Sequence, residues 1–152
     1  MATADYAEER LFEPLGMADT RMTGDASGLS TSTAFGLETT CRDLARFGLL
    51  FESGGAWDGE QIVSTSWVQQ AVARPSQRLN RSYGLLWWVN SDGKLVPGAS
   101  RDIYAAIGFG GQVLLVDPES DTIVVRLGDP GEGDYGVADA ARVVTEAVRQ
   151  PG

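Results

Sequence analysis

The sequence predicts an α+β fold: an antiparallel sheet of at least three core strands, at about residues 83–89, 103–116 and 121–127, packed by a C-terminal helix. Three observations carry that prediction. Ile103 to Val116 and Thr122 to Leu127 are long apolar runs rich in β-branched residues. They are separated by Asp117-Pro118-Glu119-Ser120-Asp121, a cluster of turn formers. Beyond them Val137, Ala140, Ala141, Val144 and Val148 recur at the spacing of one helical face.

The elements before the sheet follow from local signals. Thr3 or Asp5 is placed to cap a first helix carrying Tyr6, Ala7, Arg10 and Leu11, which Pro14 and Gly16 end. Met22 to Phe35 is rich in Gly, Ser and Thr without sustained periodicity and reads as loop. Thr40-Cys41-Arg42-Asp43 matches a capping box in its Asp form, opening a helix with Leu44, Phe47, Gly48 and Phe51 on one face and Gly54-Gly55 at its end. Trp57 to Val63 reads as a small hairpin around Asp58-Gly59. Ser64 or Ser66 then caps a short helix with Trp67, Val68 and Ala71, closed by Pro75. Ser82 to Val89 is a strand by its aromatic and β-branched content, and Asn90-Ser91-Asp92-Gly93-Lys94 is a polar turn.

Composition narrows the function classes. The 152 residues are 43% hydrophobic and 22% charged, enough apolar mass for one core, with no internal repeat and no domain boundary stronger than the loops named. A net charge of -9 argues against nucleic acid and anionic membranes, which select basic patches. No run has the roughly 20 apolar residues of a membrane span, and Met1 to Tyr6 has neither the basic nor the apolar segment of a secretion signal, so localisation stays unassigned. With no histidine, a Ser-His-Asp or Cys-His mechanism cannot be built from these residues, and zinc loses its commonest ligand. No cofactor is expected. Cys41 reads as a packed thiol, since no base accompanies it. Lys94 is the one lysine against 11 arginines, so a lysine-dependent step uses Lys94 or imports another.

The glycines at 108, 110 and 111 weaken a strand interior, and such a cluster marks a bulge or a close approach of something to the backbone. Acyl transfer offers a chemical reason: a carbonyl oxygen turning anionic is stabilised by preorganised N–H groups, which bare glycines leave accessible.

Four segments in order carry a resemblance. Phe12-Glu13-Pro14-Leu15-Gly16-Met17-Ala18-Asp19-Thr20, Thr40-Cys41-Arg42-Asp43-Leu44-Ala45-Arg46-Phe47-Gly48, Ser82-Tyr83-Gly84-Leu85-Leu86-Trp87-Trp88-Val89 and Gly108-Phe109-Gly110-Gly111-Gln112 resemble the C-terminal half of serine hydrolases related to class C β-lactamases, in the branch of esterases and 6-aminohexanoate-oligomer hydrolases. The match runs from about Tyr6 to Leu127. It implies a partial β-lactamase/transpeptidase-like fold, one partial domain over residues 1–152, with 1–80 helical and loop and 81–152 sheet and closing helix.

The resemblance implies three boxes, of which one is recognisable. A Ser-x-x-Lys helix start supplies nucleophile and base, and a Tyr-x-Asn supplies a phenol. The literal match Ser91-Asp92-Gly93-Lys94 is a turn sequence, in which Asp-Gly opposes the helix that would return Lys94 to Ser91. Tyr6, Tyr83, Tyr104 and Tyr135 are followed two places on by Glu8, Leu85, Ala106 and Val137, so the second box is absent too. Both boxes precede the Pro-Leu-Gly-Met segment in the family, and no nucleophile is assigned within these residues. The third box corresponds to Phe109-Gly110-Gly111, with Phe109 in place of a polar head residue. The resemblance implies that the backbone N–H of Gln112 is an oxyanion donor; the alternative is a β-bulge between strands.

Trp87, Trp88 and Tyr104 are the aromatic candidates for a substrate pocket, with the strand alternation allowing at most one of the two tryptophans to face it. Asp129, Glu132 and Asp134 miss the spacing of a calcium loop, no metal site is expected, and Arg42, Asp43 and Arg46 read as an ion-pair brace on a helix. The implied partners are a small ester, amide or β-lactam substrate and either the missing N-terminal half or a second copy of the chain. Two functions stand side by side: the C-terminal portion of a serine hydrolase lacking its nucleophile, and a catalytically inert chain that holds a ligand.

Overall fold

The structure, a computed structural model, describes residues 2–24, 36–73, 75, 76, 78–128, 139 and 142. The chain is helical from the start, with α1 (Thr3–Ala7), a π-helical turn (Glu8–Phe12) and α2 (Glu13–Leu15) running on from one another. Neither expected residue is the cap: Ala2 takes that place, and its N–H donates to Asp5 Oδ2 at 3.4 Å from inside the first turn. Gly16 ends the segment in the left-handed region at φ 66°, a geometry that glycine adopts without steric cost.

Two short strands, β1 (Arg21–Met22) and β2 (Leu37–Glu38), pair antiparallel. The Gly/Ser/Thr loop expected between them lies, over 25–35, outside the described residues. Helix α3 (Cys41–Glu52) begins where the capping signal places it, with Thr40 Oγ1 accepting from the Asp43 N–H at 3.2 Å. The reciprocal half of the box is absent because the Asp43 carboxylate is engaged elsewhere. Cys41 is exposed rather than packed.

The hairpin of β3 (Ala56–Trp57) and β4 (Glu60–Gln61) turns through Asp58 and Gly59, both at positive φ. Ser64 caps α4 (Thr65–Val72), which buries Val68 and Ala71 and leaves the expected third face residue, Trp67, half exposed.

The sheet is a four-stranded antiparallel meander of β5 (Trp88–Val89), β6 (Tyr104–Gly108), β7 (Gln112–Asp117) and β8 (Thr122–Arg126), in that order. Two differences from the expected strands matter for the site. The run 103–116 is two strands folded at Phe109-Gly110-Gly111, where Gly110 and Gly111 take φ 72° and 75°. The run 83–89 shrinks to Trp88–Val89, because the Gly84 N–H closes a turn on the Trp87 carbonyl at 2.7 Å with Leu86 at φ 65°.

Each sheet face has its own core. One face sets Val89, Tyr104, Leu114 and Val116 against Phe51, Val68 and Ala71 of α3 and α4, with Trp87 between them. Helix and sheet approach closely at Gly48, where a Cβ would lie 3.0 Å from Leu114 Cδ1. The other face sets Ile103, Ala105, Val113 and Leu115 against Val96 of the preceding loop. Of the expected closing helix only Asp139 and Arg142 are described, both helical, and its apolar positions lie outside the described residues.

Candidate functional site

A cavity of about 680 Å³ opens at the end of the sheet where β6 turns into β7, and its walls include Leu44, Tyr83, Leu86, Trp88, Ile107 and Phe109. The tryptophan pair divides as strand alternation requires. Trp88 lines the cavity with its ring edge-on to Tyr83 at 5.1 Å between centroids. Trp87 is 5% exposed in the core, stacked on Phe47 at 6.1 Å and edge-on to Tyr104 at 5.2 Å. Tyr104 is buried with it, so of the three expected pocket aromatics only Trp88 reaches the cavity.

Tyr104 carries a measurable consequence of that placement. Burial, reinforced by the charge of Glu52, pushes its phenol pKa well above the ordinary value near 10. A raised folded pKa means that the contribution is complete below the unfolded pKa and is lost as pH rises beyond it. Unfolding free energy should therefore fall by up to about 1.4 kcal/mol per pH unit above pH 10, a slope that Tyr104→Phe removes. Urea unfolding of both proteins between about pH 9 and 11 reads the difference; parallel curves would refute it.

Ladder parity decides which backbone groups face the cavity. The Asn90 N–H donates to the Ile103 carbonyl at 2.9 Å, so the polar groups of Ile103, and of every second residue after it, face the β5 side of β6. Ala105 pairs with Trp88, and there β5 stops. Ile107, two residues further, turns its N–H and C=O to the same side beyond the last β5 pair, where its residue lines the cavity. Gly108 faces the other way, to Gln112.

The Gln112 N–H points into the hairpin toward Gly108, because the two residues are register partners flanking the turn. Phe109-Gly110-Gly111 is the hairpin tip, not a length of strand along the cavity. Gln112 instead braces the tip through its side chain, whose Nε2 donates to the Gly128 carbonyl at 2.7 Å and whose Oε1 accepts from the Gly128 N–H at 2.8 Å. Arg126 braces it from β8: Nη1 donates to the carbonyls of Gly110 and Gly111 at 3.2 and 2.9 Å. Sequence reasoning missed Arg126, whose position at the end of a strand carries no local signal. Phe109 stands on the braced tip, 89% exposed.

Ser91-Asp92-Gly93-Lys94 forms the expected turn, with Gly93 at φ 72° and its N–H on the Asn90 carbonyl at 2.7 Å. The Lys94 ammonium sits 3.7 Å from Asp92 Oδ2. Burial works to raise the Asp92 pKa, but the Lys94 N–H, the Ser82 hydroxyl and the Lys94 charge outweigh it and hold the carboxyl below its usual range. Among the described residues no cluster of His, Cys, Asp or Glu could hold a metal ion, and no helix is long and apolar enough to cross a membrane. Asp129, Glu132 and Asp134 lie outside the described residues.

Comparison with known proteins adds four findings. The family model described as Beta-lactamase matches residues 1–147. A 6-aminohexanoate-dimer hydrolase of Paenarthrobacter ureafaciens is 31% identical over 120 residues, which is 72% of this chain and 29% of that protein. Among solved structures, a putative beta-lactamase from Bacteroides dorei superposes with a TM-score of 0.68 at 20% identity, covering 97% of this chain and 52% of that one. A putative 6-aminohexanoate-dimer hydrolase from Bacillus anthracis does so with a TM-score of 0.67 at 21% identity, over 93% and 36%. The chain thus spans about half or less of the length of these relatives.

Proposed function

The chain belongs to the beta-lactamase family, and on that premise we propose that it forms one wall of the acyl-transfer site of a serine hydrolase acting on ester, amide or β-lactam carbonyls. The observation that carries the reading is the open edge of β6, where the Ile107 N–H faces an apolar cavity of small-molecule size. In this reading a serine oxygen bonds to the substrate carbonyl carbon as its proton passes to a base that, like the serine, comes from outside these 152 residues; the π electrons move to the carbonyl oxygen, and the Ile107 N–H donates to that oxygen. Losing one such donor costs roughly 3 to 4 kcal/mol of transition-state stabilisation in acyl-transfer enzymes. The attacking serine comes from outside these 152 residues, since Ser91 and Lys94 occupy a turn and no other Ser-x-x-Lys is present.

Two measurements on the protein as it stands test this reading. Intact mass after incubation with a fluorophosphonate should show no serine adduct; a stoichiometric adduct overturns the assignment of the nucleophile elsewhere. Titration of 15N-labelled protein with hexanamide should move the Ile107 amide proton downfield as its N–H meets the carbonyl. Saturable binding that leaves Ile107 unmoved would falsify the proposed wall.

A further inference from the structure

Leu86 holds a backbone conformation that leucine disfavours. It fills the third place of the turn Gly84-Leu85-Leu86-Trp87 at φ 65°, where turns take Gly or Asn, because a Cβ there crowds the following carbonyl oxygen. The turn is fixed from both sides. The Gly84 N–H donates to the Trp87 carbonyl at 2.7 Å and the Val89 N–H to the Ser82 carbonyl at 2.8 Å. Ser76 donates its N–H to the Tyr83 carbonyl at 3.0 Å and its hydroxyl to the Gly84 carbonyl at 2.8 Å, and the Leu85 N–H donates to the Ala71 carbonyl of α4 at 3.2 Å.

Packing within the fold does not repay this conformation. The Leu86 side chain is 83% exposed, so it adds little to the apolar area that folding removes from water. Its place is the wall of the cavity, with Tyr83 and Trp88, whose rings meet edge-on at 5.1 Å. A strained residue held by its surroundings at the edge of a cavity is a feature of ligand-binding walls rather than of cores.

Resting on the proposed acyl-transfer wall, we propose that Leu86 is a specificity-determining residue: it covers the hydrocarbon chain of an amide or ester whose carbonyl oxygen meets the Ile107 N–H, and so selects substrates with a chain of several carbons over short ones. Binding buries the leucine side chain and the substrate chain against each other, which supplies the apolar burial that folding alone does not give this residue.

The test compares hexanamide with propanamide, which differ only in chain length, by the shift of the Ile107 amide in 15N-labelled protein. The wild type should bind hexanamide at least about tenfold more tightly. Leu86→Gly should weaken hexanamide about fivefold, leave propanamide within about twofold, and raise the urea midpoint at unchanged slope, since glycine relieves the turn. Leu86→Asn, which accepts the left-handed region without glycine's freedom in the unfolded chain, should change binding and midpoint in the same directions. Equal binding of both amides by the wild type, or an unchanged ratio in both variants, overturns the selectivity while leaving the proposed wall intact. A lower midpoint in both variants overturns the claim that leucine is kept here at the expense of stability. Failure of both amides to move Ile107 overturns the wall itself and this inference with it.

Discussion

Replacing Asn90 by alanine lowers the unfolding free energy by about 4 kcal/mol, read as a fall in the urea midpoint at unchanged slope. Asn90 is fully buried beside the end of β5, and its amide makes three hydrogen bonds to the loop that follows. Oδ1 accepts from the Val96 N–H at 2.8 Å, while Nδ2 donates to the carbonyls of Val96 at 3.1 Å and Ser100 at 2.7 Å. Alanine removes all three partners at once and leaves buried backbone groups unsatisfied, each costing about 1 to 3 kcal/mol. The loop carries Val96 onto the outer sheet face, so its release also exposes Ile103 and Leu115. A loss below about 1 kcal/mol would show that water replaces the amide without cost.

Replacing Asp43 by alanine lowers stability by about 3 kcal/mol, because it leaves a guanidinium and two donors without their acceptor. The carboxylate is 2% exposed and accepts from the Asp19 N–H at 2.9 Å, from Thr20 Oγ1 at 3.0 Å and from the guanidinium of Arg46 one turn along α3. Arg46 is itself about a third exposed, which screens part of the pair and keeps the expected loss at the lower end for a buried ion pair. Asp43→Asn retains one acceptor oxygen and should lose less. Equal losses for the two substitutions would assign the effect to shape rather than to charge.

These two residues show where sequence reasoning stops. Thr40 as a cap, the apolar face of α3 and the Asp58-Gly59 hairpin are legible because each signal lies within a few residues of its effect. Asn90 reads as one more turn former, since nothing local announces that its amide will be enclosed by residues six and ten positions on. Asp43 reads as half of a capping box and a surface brace; its partners Asp19 and Thr20 are joined to it only by the tertiary fold. The family resemblance carried the fold, and the comparisons bear it out. It does not fix which way the backbone groups beside the glycines face, because a strand's alternation depends on register, and the unbroken apolar run 103–116 conceals the fold at its glycines. Nor does the aromatic content of 82–89 reveal that Leu86 takes a left-handed conformation and cuts the strand to two residues.

The meander order of the sheet bears on how the cavity wall arises in time. Neighbouring strands in space are neighbours in the chain, and β6, β7 and β8 are joined only by residues 109–111 and 118–121. Closing such short loops costs little chain entropy, and contacts of low sequence separation form fast. Helix α3 reaches the same sheet from more than fifty positions upstream, so its docking carries the longer closure. The edge that presents Ile107 thus belongs to the strand with the most local pairings in the sheet.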